Sequence, residues 1–318
     1  MGRIVIRGKK VFEFLQRVVS KDLSKVRECM MSGPVLLLND DGGIKDDVML
    51  YNFSEDTWLA VVNAANIEKD INWLLSLRER LGFTKEDVDF EDVTEKSVLI
   101  AIQGPKALEI IEEFGVSDAK SLKILEFIKD AHVLGNKALL LSRSGWTGEE
   151  IRSYGFEIWA DPKLGGELLL KARELGARPA GLIARDSLRL EMGYLLVGND
   201  ISEDINPIEA RYWMALTFKK KGYVGYEAVK EIYENGIERI RVGLKLGKGI
   251  RAIPRHGDSI VVDGKVVGVI TSGAYSPYIK RSIALGYINV RYAYIGYKVF
   301  IRIRGKDYEA KIVEPPFI

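Results

Sequence analysis

Two adjacent carboxylates, Asp46 and Asp47, follow a glycine pair and open an apolar run. The stretch reads Asp41-Gly42-Gly43-Ile44-Lys45-Asp46-Asp47-Val48-Met49-Leu50-Tyr51. A lone hairpin of aspartate and glycine is ordinarily a turn and nothing more. Here the turn leads straight into a strand, where successive side chains take opposite faces. One of the two carboxylates is therefore expected to face inward, beside Met49 and Tyr51. A carboxylate in such surroundings needs a partner or a task.

A second carboxylate with chemical potential is Glu157. It follows the run Ser142-Arg143-Ser144-Gly145-Trp146-Thr147-Gly148-Glu149-Glu150 and sits within Gly155-Phe156-Glu157-Ile158. Alternation turns it away from Phe156 and Ile158, and if that direction is outward the residue is simply solvated. If it is inward, its two oxygens can pair two adjacent N–H donors of a planar heterocycle, such as the 2-amino group and ring N–H of a pterin.

The run Gly181-Leu182-Ile183-Ala184-Arg185-Asp186-Ser187-Leu188-Arg189-Leu190-Glu191 reads as the entry to a helix. Asp186 or Ser187 is expected to cap it, with Arg189 and Glu191 solvated. Arg185, just ahead of that cap, is placed to hold an acid or a ligand. A fourth run, Thr271-Ser272-Gly273-Ala274-Tyr275-Ser276-Pro277, reads as a tight turn between two strands, in structural service. No nucleophile elbow, phosphate loop or dinucleotide glycine fingerprint competes with these stretches.

Composition narrows the setting. Over 318 residues, 47% are hydrophobic, enough for substantial cores and for two or three domains. The 47 basic and 45 acidic residues nearly cancel. With no basic stripe interleaved with aromatics, no nucleic-acid partner is expected. The longest apolar runs, such as Val35–Leu38 and Ala138–Leu141, are too short to span a bilayer, so no membrane association is expected either. The N-terminus carries no signal-peptide pattern, which makes a cytoplasmic location the expectation. The single cysteine, Cys29, excludes an internal disulfide framework. With only His132 and His256 as imidazoles, a zinc or iron site would have to rely on carboxylates, and no metal is expected.

Elements must carry these side chains. Arg3–Arg7 alternates as a half-exposed strand, and Val11–Val19 has helical spacing. Ser20–Leu23 reads as a turn and Val35–Leu38 as a buried strand, closed by a turn at Asn39–Gly43. Strands at Val48–Phe53 and Trp58–Val62 precede a helix over Ile67–Leu81. With Phe83–Phe90 leading out of that helix, these alternating strands and helices suggest a ferredoxin-like antiparallel layer. The middle third pairs helices at Pro105–Phe114 and Lys163–Leu175 with strands at Val98–Ile102, Ala138–Leu141 and Phe156–Trp159. From about Arg239 onward, six short strands with regular turn signals imply a small antiparallel barrel or jelly roll. They are Val242–Leu244, Ser259–Val262, Val266–Ile270, Ala284–Ile288, Lys298–Arg304 and Glu309–Val313.

Taken in order, these runs resemble the aminomethyltransferase (T-protein) family of the glycine cleavage system. Further matching runs are Gly33–Tyr51, Val61–Asp70, Gln103-Gly104-Pro105-Lys106-Ala107, Gly198-Asn199-Asp200, Asn206-Pro207-Ile208-Glu209, Gly268–Pro277 and Pro316-Phe317. The similarity covers the whole chain. It implies an α+β fold, a three-domain cloverleaf with tetrahydrofolate in a central cavity. Its parts would be a ferredoxin-like folate-binding domain over 1–93, a second α+β folate-binding domain over 94–237 and a C-terminal β-barrel over 238–318. By motif position the resemblance selects Asp47 as the essential aspartate, Glu157 as the pterin-binding glutamate and Arg185 as a site arginine. Tyr51 and Asn63 fall where residues line the folate site, and Trp146 replaces a tyrosine there. The implied reaction passes the methylene of an aminomethyl group, carried on the lipoyl arm of H-protein, to tetrahydrofolate as co-substrate, with release of ammonia. Lipoylated H-protein and the other glycine cleavage components are the implied partners. Positioning an amine against its target supplies much of the acceleration, and an aspartate there orients the folate, stabilises developing positive charge and moves a proton.

The chain departs from the family pattern in four places. Met1-Gly2 aligns inside a Ser-His-Met-Gly stretch, so the usual leading segment is absent from the second folate-binding domain. Either the start lies further upstream or an apolar surface needs covering. Ile151-Arg152-Ser153-Tyr154 are extra residues ahead of Glu157, expected to lengthen a loop. Pro34 stands where a site tyrosine is usual, and the tail tyrosine of some members is missing at Ile318. A non-catalytic folate-binding assembly or regulatory protein of the same fold is the alternative. That group carries a cysteine motif for which this chain has Lys221-Gly222-Tyr223-Val224-Gly225-Tyr226-Glu227, without the cysteine. It also usually lacks the aspartate retained here as Asp47.

Overall fold

The computed structural model describes residues 1–318, which divide into two compact units. The first comprises Met1–Leu38, Lys45–Pro179 and Met214–Val224; the second comprises Asn39–Ile44, Ala180–Trp213 and Gly225–Ile318.

The first unit opens with β1 (Gly2–Arg7), α1 (Val11–Val18), β2 (Met30–Leu38), β3 (Ile44–Ser54), β4 (Thr57–Val62), α2 (Ile67–Arg80) and β5 (Asp89–Asp92). Its strands form one sheet in the order β2-β3-β4-β1-β5, with β1 antiparallel to both β4 and β5. The first strand thus lies between the two that flank the second helix, the split arrangement of a ferredoxin-like layer. β2, the strand read from the sequence at Val35–Leu38, is the fifth strand and forms one edge of the sheet. Because β1 is central, it is buried along Gly2–Ile6 rather than half exposed. Arg3 is accommodated there by donating to Met1 O at 2.6 Å, Ser97 O at 2.8 Å, Ser97 Oγ at 3.1 Å and Thr94 O.

Both faces of this sheet are covered. On one, Val11, Phe14, Leu15 and Val18 of α1 and Leu74 and Leu77 of α2 pack on Ile4, Ile6, Val48, Leu50 and Val62. The spacing of the α1 residues is that of a single helical stripe. The opposite face presents Val5, Met49, Tyr51, Leu59 and Val61 to Phe127, Leu140 and Trp159 of a second sheet.

That second sheet follows in the chain as β6 (Val98–Gln103), α3 (Ala107–Glu113), β7 (Phe127–Lys129), β8 (His132–Val133), β9 (Asn136–Lys137), β10 (Leu140–Ser142), α4 (Glu149–Arg152), β11 (Gly155–Ala160) and α5 (Pro162–Glu174). Its order is β6-β11-β10-β7, with antiparallel pairs throughout, while β8 and β9 form a separate ribbon. Asp161 caps α5 by accepting from Lys163 N at 2.9 Å and Leu164 N at 3.1 Å, with Pro162 at the first helical position. The extra residues of the 151–154 stretch are not a loose loop. Ile151 and Arg152 complete the single turn of α4, and the Tyr154 ring stacks on Phe156 with 6.0 Å between centroids.

The second unit holds α6 (Leu182–Glu191), α7 (Tyr226–Asn235) and the strands β12 (Arg239–Leu246), β13 (Ser259–Val262), β14 (Lys265–Ser276), β15 (Arg281–Asn289), β16 (Lys298–Ile303) and β17 (Lys306–Val313). These six strands close into an antiparallel barrel, β12-β15-β14-β13-β16-β17, around Val242, Leu244, Ile260, Ile270, Ile288, Ile301 and Ile312. Two expectations are corrected here. Thr271–Ser276 is not a turn but the second half of the long strand β14, with a register shift between Ile270 and Ser272. The helix α6 begins at Leu182, so Asp186 and Ser187 lie inside it and cap nothing.

Arg189 and Glu191 are buried rather than solvated. Arg189 donates to Asp200 at 2.6 Å, to Asp186 at 2.7 Å, to Ser272 at 2.8 Å and to Tyr194 O at 2.9 Å. Glu191 accepts from Ser276, and Thr271 donates to Asp200. The hydroxyls that read as turn chemistry therefore satisfy buried charges, which is why that run is rich in serine and threonine.

Candidate active site

The turn at residues 39–43 sets the start of β3. Asn39 N donates to Gly43 O at 2.9 Å, and Gly43 N donates back to Asn39 Oδ1 at 2.7 Å. Gly42 has φ +82°, and a Cβ on Gly43 would lie 1.8 Å from Glu203 O. Neither position tolerates a side chain without displacing the backbone. Beyond the turn the strand alternates, so Asp47, Met49 and Tyr51 share one face while Asp46, Val48 and Leu50 share the other. Alternation alone requires one inward carboxylate. Both are inward, Asp46 fully buried and Asp47 5% exposed, because β3 is covered on both sides.

Asn63, just past β4, holds the two aspartates together. Its Nδ2 donates to Asp46 Oδ1 at 2.7 Å and to Asp47 Oδ1 at 3.0 Å, and lies 3.2 Å from Asp47 O. Its backbone N–H donates to Asp46 Oδ2 at 3.1 Å. Asp46 Oδ1 also accepts from Asp47 N at 3.0 Å. The carboxamide thus holds the Asp47 carboxylate from one side.

Glu157 lies on β11, a strand buried along its length, and is itself 4% exposed. Its Oε2 accepts from Ser144 Oγ at 2.6 Å and from Tyr51 OH at 3.4 Å. Ser142, opposite Glu157 in the β10–β11 register, puts its Oγ 2.7 Å from Ser144 Oγ. Burial, and then the Glu157 charge, push the Tyr51 phenol well above its usual range, so the hydroxyl stays a donor. Trp146 packs, half-buried, against the cluster that contains Met49 and Tyr51. The face of β3 that carries Asp47 therefore also carries, four residues on and roughly 13 Å along the strand, the tyrosine that meets Glu157.

One supporting residue had no role in the sequence reading. Gln103 sits at the end of β6, and its Nε2 donates to Ser144 O at 3.1 Å and Phe156 O at 3.2 Å. Its Oε1 accepts from Thr147 Oγ1 at 3.1 Å. The amide ties the 144–147 loop to β11 and so holds Ser144 against Glu157. Glycines make the space for it, since a Cβ on Gly155 would lie 2.4 Å from Gln103 Oε1 and 2.9 Å from Ser144 O. Gly155→Ala is accordingly expected to cost about 1–3 kcal/mol by overpacking, seen as a lower unfolding midpoint, whereas Gly166→Ala, with open space around it, should not. The two glycines at 145 and 155 were the available sequence signal, but only the fold brings them to the same glutamine.

Five of the six residues singled out from sequence, Asp47, Tyr51, Asn63, Trp146 and Glu157, belong to the first unit. Arg185 belongs to the second, on the N-terminal half of α6 and partly buried. No group of three or more His, Cys, Asp or Glu side chains is arranged to hold a metal ion. The donor set around Glu157 combines a buried carboxylate, two serine hydroxyls, a phenol and aromatic faces. Such a set suits a flat heterocycle rich in N–H groups, which is what a pterin presents.

Comparison with known proteins places this geometry in context. Residues 1–220 match the model of the GCVT N-terminal domain, and residues 239–318 match that of the glycine cleavage T-protein C-terminal barrel domain. The chain is 40% identical to a probable aminomethyltransferase of Aeropyrum pernix, over the whole chain and 84% of that relative. It is 38% identical to an aminomethyltransferase of Caldanaerobacter subterraneus subsp. tengcongensis, over the whole chain and 82% of that one. The crystal structure of glycine cleavage system aminomethyltransferase T from Bartonella henselae is similar with a TM-score of 0.88 at 31% identity, covering the whole chain and 84% of that structure.

Proposed function

From the premise that the chain belongs to the glycine cleavage T-protein family, we propose that Asp47, Asn63, Tyr51 and Glu157 hold and activate tetrahydrofolate for aminomethyl transfer. The activity is that of an aminomethyltransferase of the glycine cleavage system. Tetrahydrofolate, when bound, supplies the amine nitrogens that take up the one-carbon unit.

Each residue has a distinct task. Glu157 pairs N–H donors of the pterin, with Ser144 and Tyr51 fixing its carboxylate from behind. Trp146 offers an aromatic wall. Asp47, kept in one rotamer by Asn63, orients the reacting end, stabilises the positive charge that develops there and moves a proton. Arg185 is assigned to an acidic group of the substrate. The observation that carries this reading is the shared face of β3, with Asp47 at one point and the Tyr51–Glu157 contact four residues on.

The donor in this reading is the aminomethyl group on lipoylated H-protein, with the other glycine cleavage components as the remaining partners. A cytoplasmic setting agrees with it, and no helix is long and apolar enough to cross a membrane. The three-part division at 1–93, 94–237 and 238–318 is supported by where the sheets fall. The first sheet ends at Asp92, the second starts at Val98 and the barrel starts at Arg239.

Calorimetric titration of tetrahydrofolate into wild type and Glu157→Gln tests the site. Exchanging a charge-assisted pair for a neutral amide is expected to weaken binding by about 10- to 100-fold. Turnover at saturating folate should fall much less. Equal affinities in the two proteins would remove Glu157 from the pterin site.

A further inference from the structure

Behind the aspartate pair lies a third carboxyl group that the reaction itself does not touch. Asp70, on the first turns of α2, is fully buried, and neither of its oxygens receives a hydrogen bond from any N–H or O–H group. Its neighbour across the helix–sheet interface is Asp46, also fully buried. Two buried carboxylates side by side cannot both carry charge, so the pair must share a proton.

The donors decide which oxygen owns it. Asp46 accepts from Asn63 N, Asn63 Nδ2 and Asp47 N, three N–H groups that stabilise its charge. Asp70 accepts from none. The Lys69 ammonium donates to Lys45 O at 2.8 Å, and the Lys45 ammonium lies 4.8 Å from the centroid of the Trp73 ring. Asp47 projects to the far face of β3. We propose that Asp70 is a neutral carboxylic acid that donates its proton to Asp46, and that this acid–carboxylate pair positions Asn63 and, through it, Asp47. Asp70 is thus a positioning residue for the aminomethyl transfer assigned above, and the proposal rests on that reading.

Electrostatics agree with the geometry. Burial, then the hydrogen bond to Asp46 and the Asp46 charge, push the Asp70 carboxyl up to about 9, against the weaker pull of Lys69 and Lys45. The folded state therefore holds a proton that the unfolded chain has released above its ordinary value of 3.8. Stability from this group is fully present below that value and is lost as pH rises towards and through about 9. Ionised Asp70 would then repel Asp46 and loosen its grip on Asn63.

Asp70→Asn supplies the test, because its amide keeps a donor for Asp46 but cannot ionise. Two readouts need no turnover. The infrared spectrum of the wild type at pH 7 should show a buried carboxylic-acid carbonyl band that disappears in Asp70→Asn. The side-chain NH2 resonances of Asn63 should move in the wild type as pH passes about 9 and stay put in Asp70→Asn. In turnover, the wild type should lose kcat through the same pH range, whereas Asp70→Asn should keep a flat alkaline limb. At pH 7 the variant should retain at least about a third of wild-type kcat. An acid band that survives in Asp70→Asn would overturn the proposal, and so would Asn63 resonances that titrate alike in both proteins. If the folate reading alone were wrong, the kinetic arm would fail while the two spectroscopic arms held.

Discussion

Asp47→Asn is expected to lower kcat for ammonia release by about 10²- to 10³-fold while leaving the apparent KM for tetrahydrofolate within about threefold. The substitution is nearly isosteric. Asparagine Oδ1 can still accept from Asn63 Nδ2, which now contacts Asp47 Oδ1 at 3.0 Å, so the local geometry should survive. What disappears is the negative charge and the ability to take up a proton. Both matter in the transition state, where an amine nitrogen gains positive character and ammonia leaves. Neither matters greatly for the ground-state hold on the pterin, which is assigned to Glu157. The two substitutions should therefore separate, one acting on turnover and the other on affinity. A kcat for Asp47→Asn within threefold of wild type would take the central role away from this carboxylate.

The largest stability effect is expected far along the chain, at Asp200→Ala. Asp200 is fully buried and gathers Arg189 at 2.6 Å, Leu196 N at 3.0 Å and the Thr271 hydroxyl. Arg189, 5% exposed, has Asp186, Ser272 and Tyr194 O as further partners but no second buried carboxylate. Removing Asp200 leaves the buried guanidinium with only the half-exposed Asp186 as a charged partner, and the expected cost is about 3 kcal/mol. Denaturant unfolding would read this as a shift of midpoint. The double variant Arg189→Leu with Asp200→Leu should recover part of the loss, because a pair of apolar side chains leaves no charge stranded. A single-variant loss under about 1 kcal/mol would mean that water reaches the pair and screens it.

How much of this could be read beforehand differs by element. Short apolar runs were enough to place β3, β4 and β11, and the helical stripe of α1 ran within one residue of its observed end. Five of the six barrel strands were legible from apolar runs flanked by turn residues, whereas β14 was legible only as far as Ile270. Burial of whole strands was not legible. Alternation says that one face is inward, whereas β1 and β3 are inward on both, a fact set by which sheets and helices stack on them.

The site shows the same division. Asp46 and Asp47 stood out as a pair, and motif position selected Asp47. The positions of Asn63, Gln103 and Ser144 as hydrogen-bond partners depend on contacts 13 to 53 residues apart in sequence, which no local pattern encodes. The Arg189–Glu191 error has a physical cause. Charged residues near a helix end are usually solvated, and only the hydroxyls of β14 and the carboxylate of Asp200 make their burial possible.

The most direct measurement is ammonia release by the purified chain, supplied with H-protein whose lipoyl arm carries an aminomethyl group, with and without tetrahydrofolate. Rapid release that depends on tetrahydrofolate and consumes the aminomethyl carrier is the predicted result. A chain that binds tetrahydrofolate yet releases no ammonia above the folate-free rate would contradict it, and would make this a folate-binding protein without the transfer chemistry.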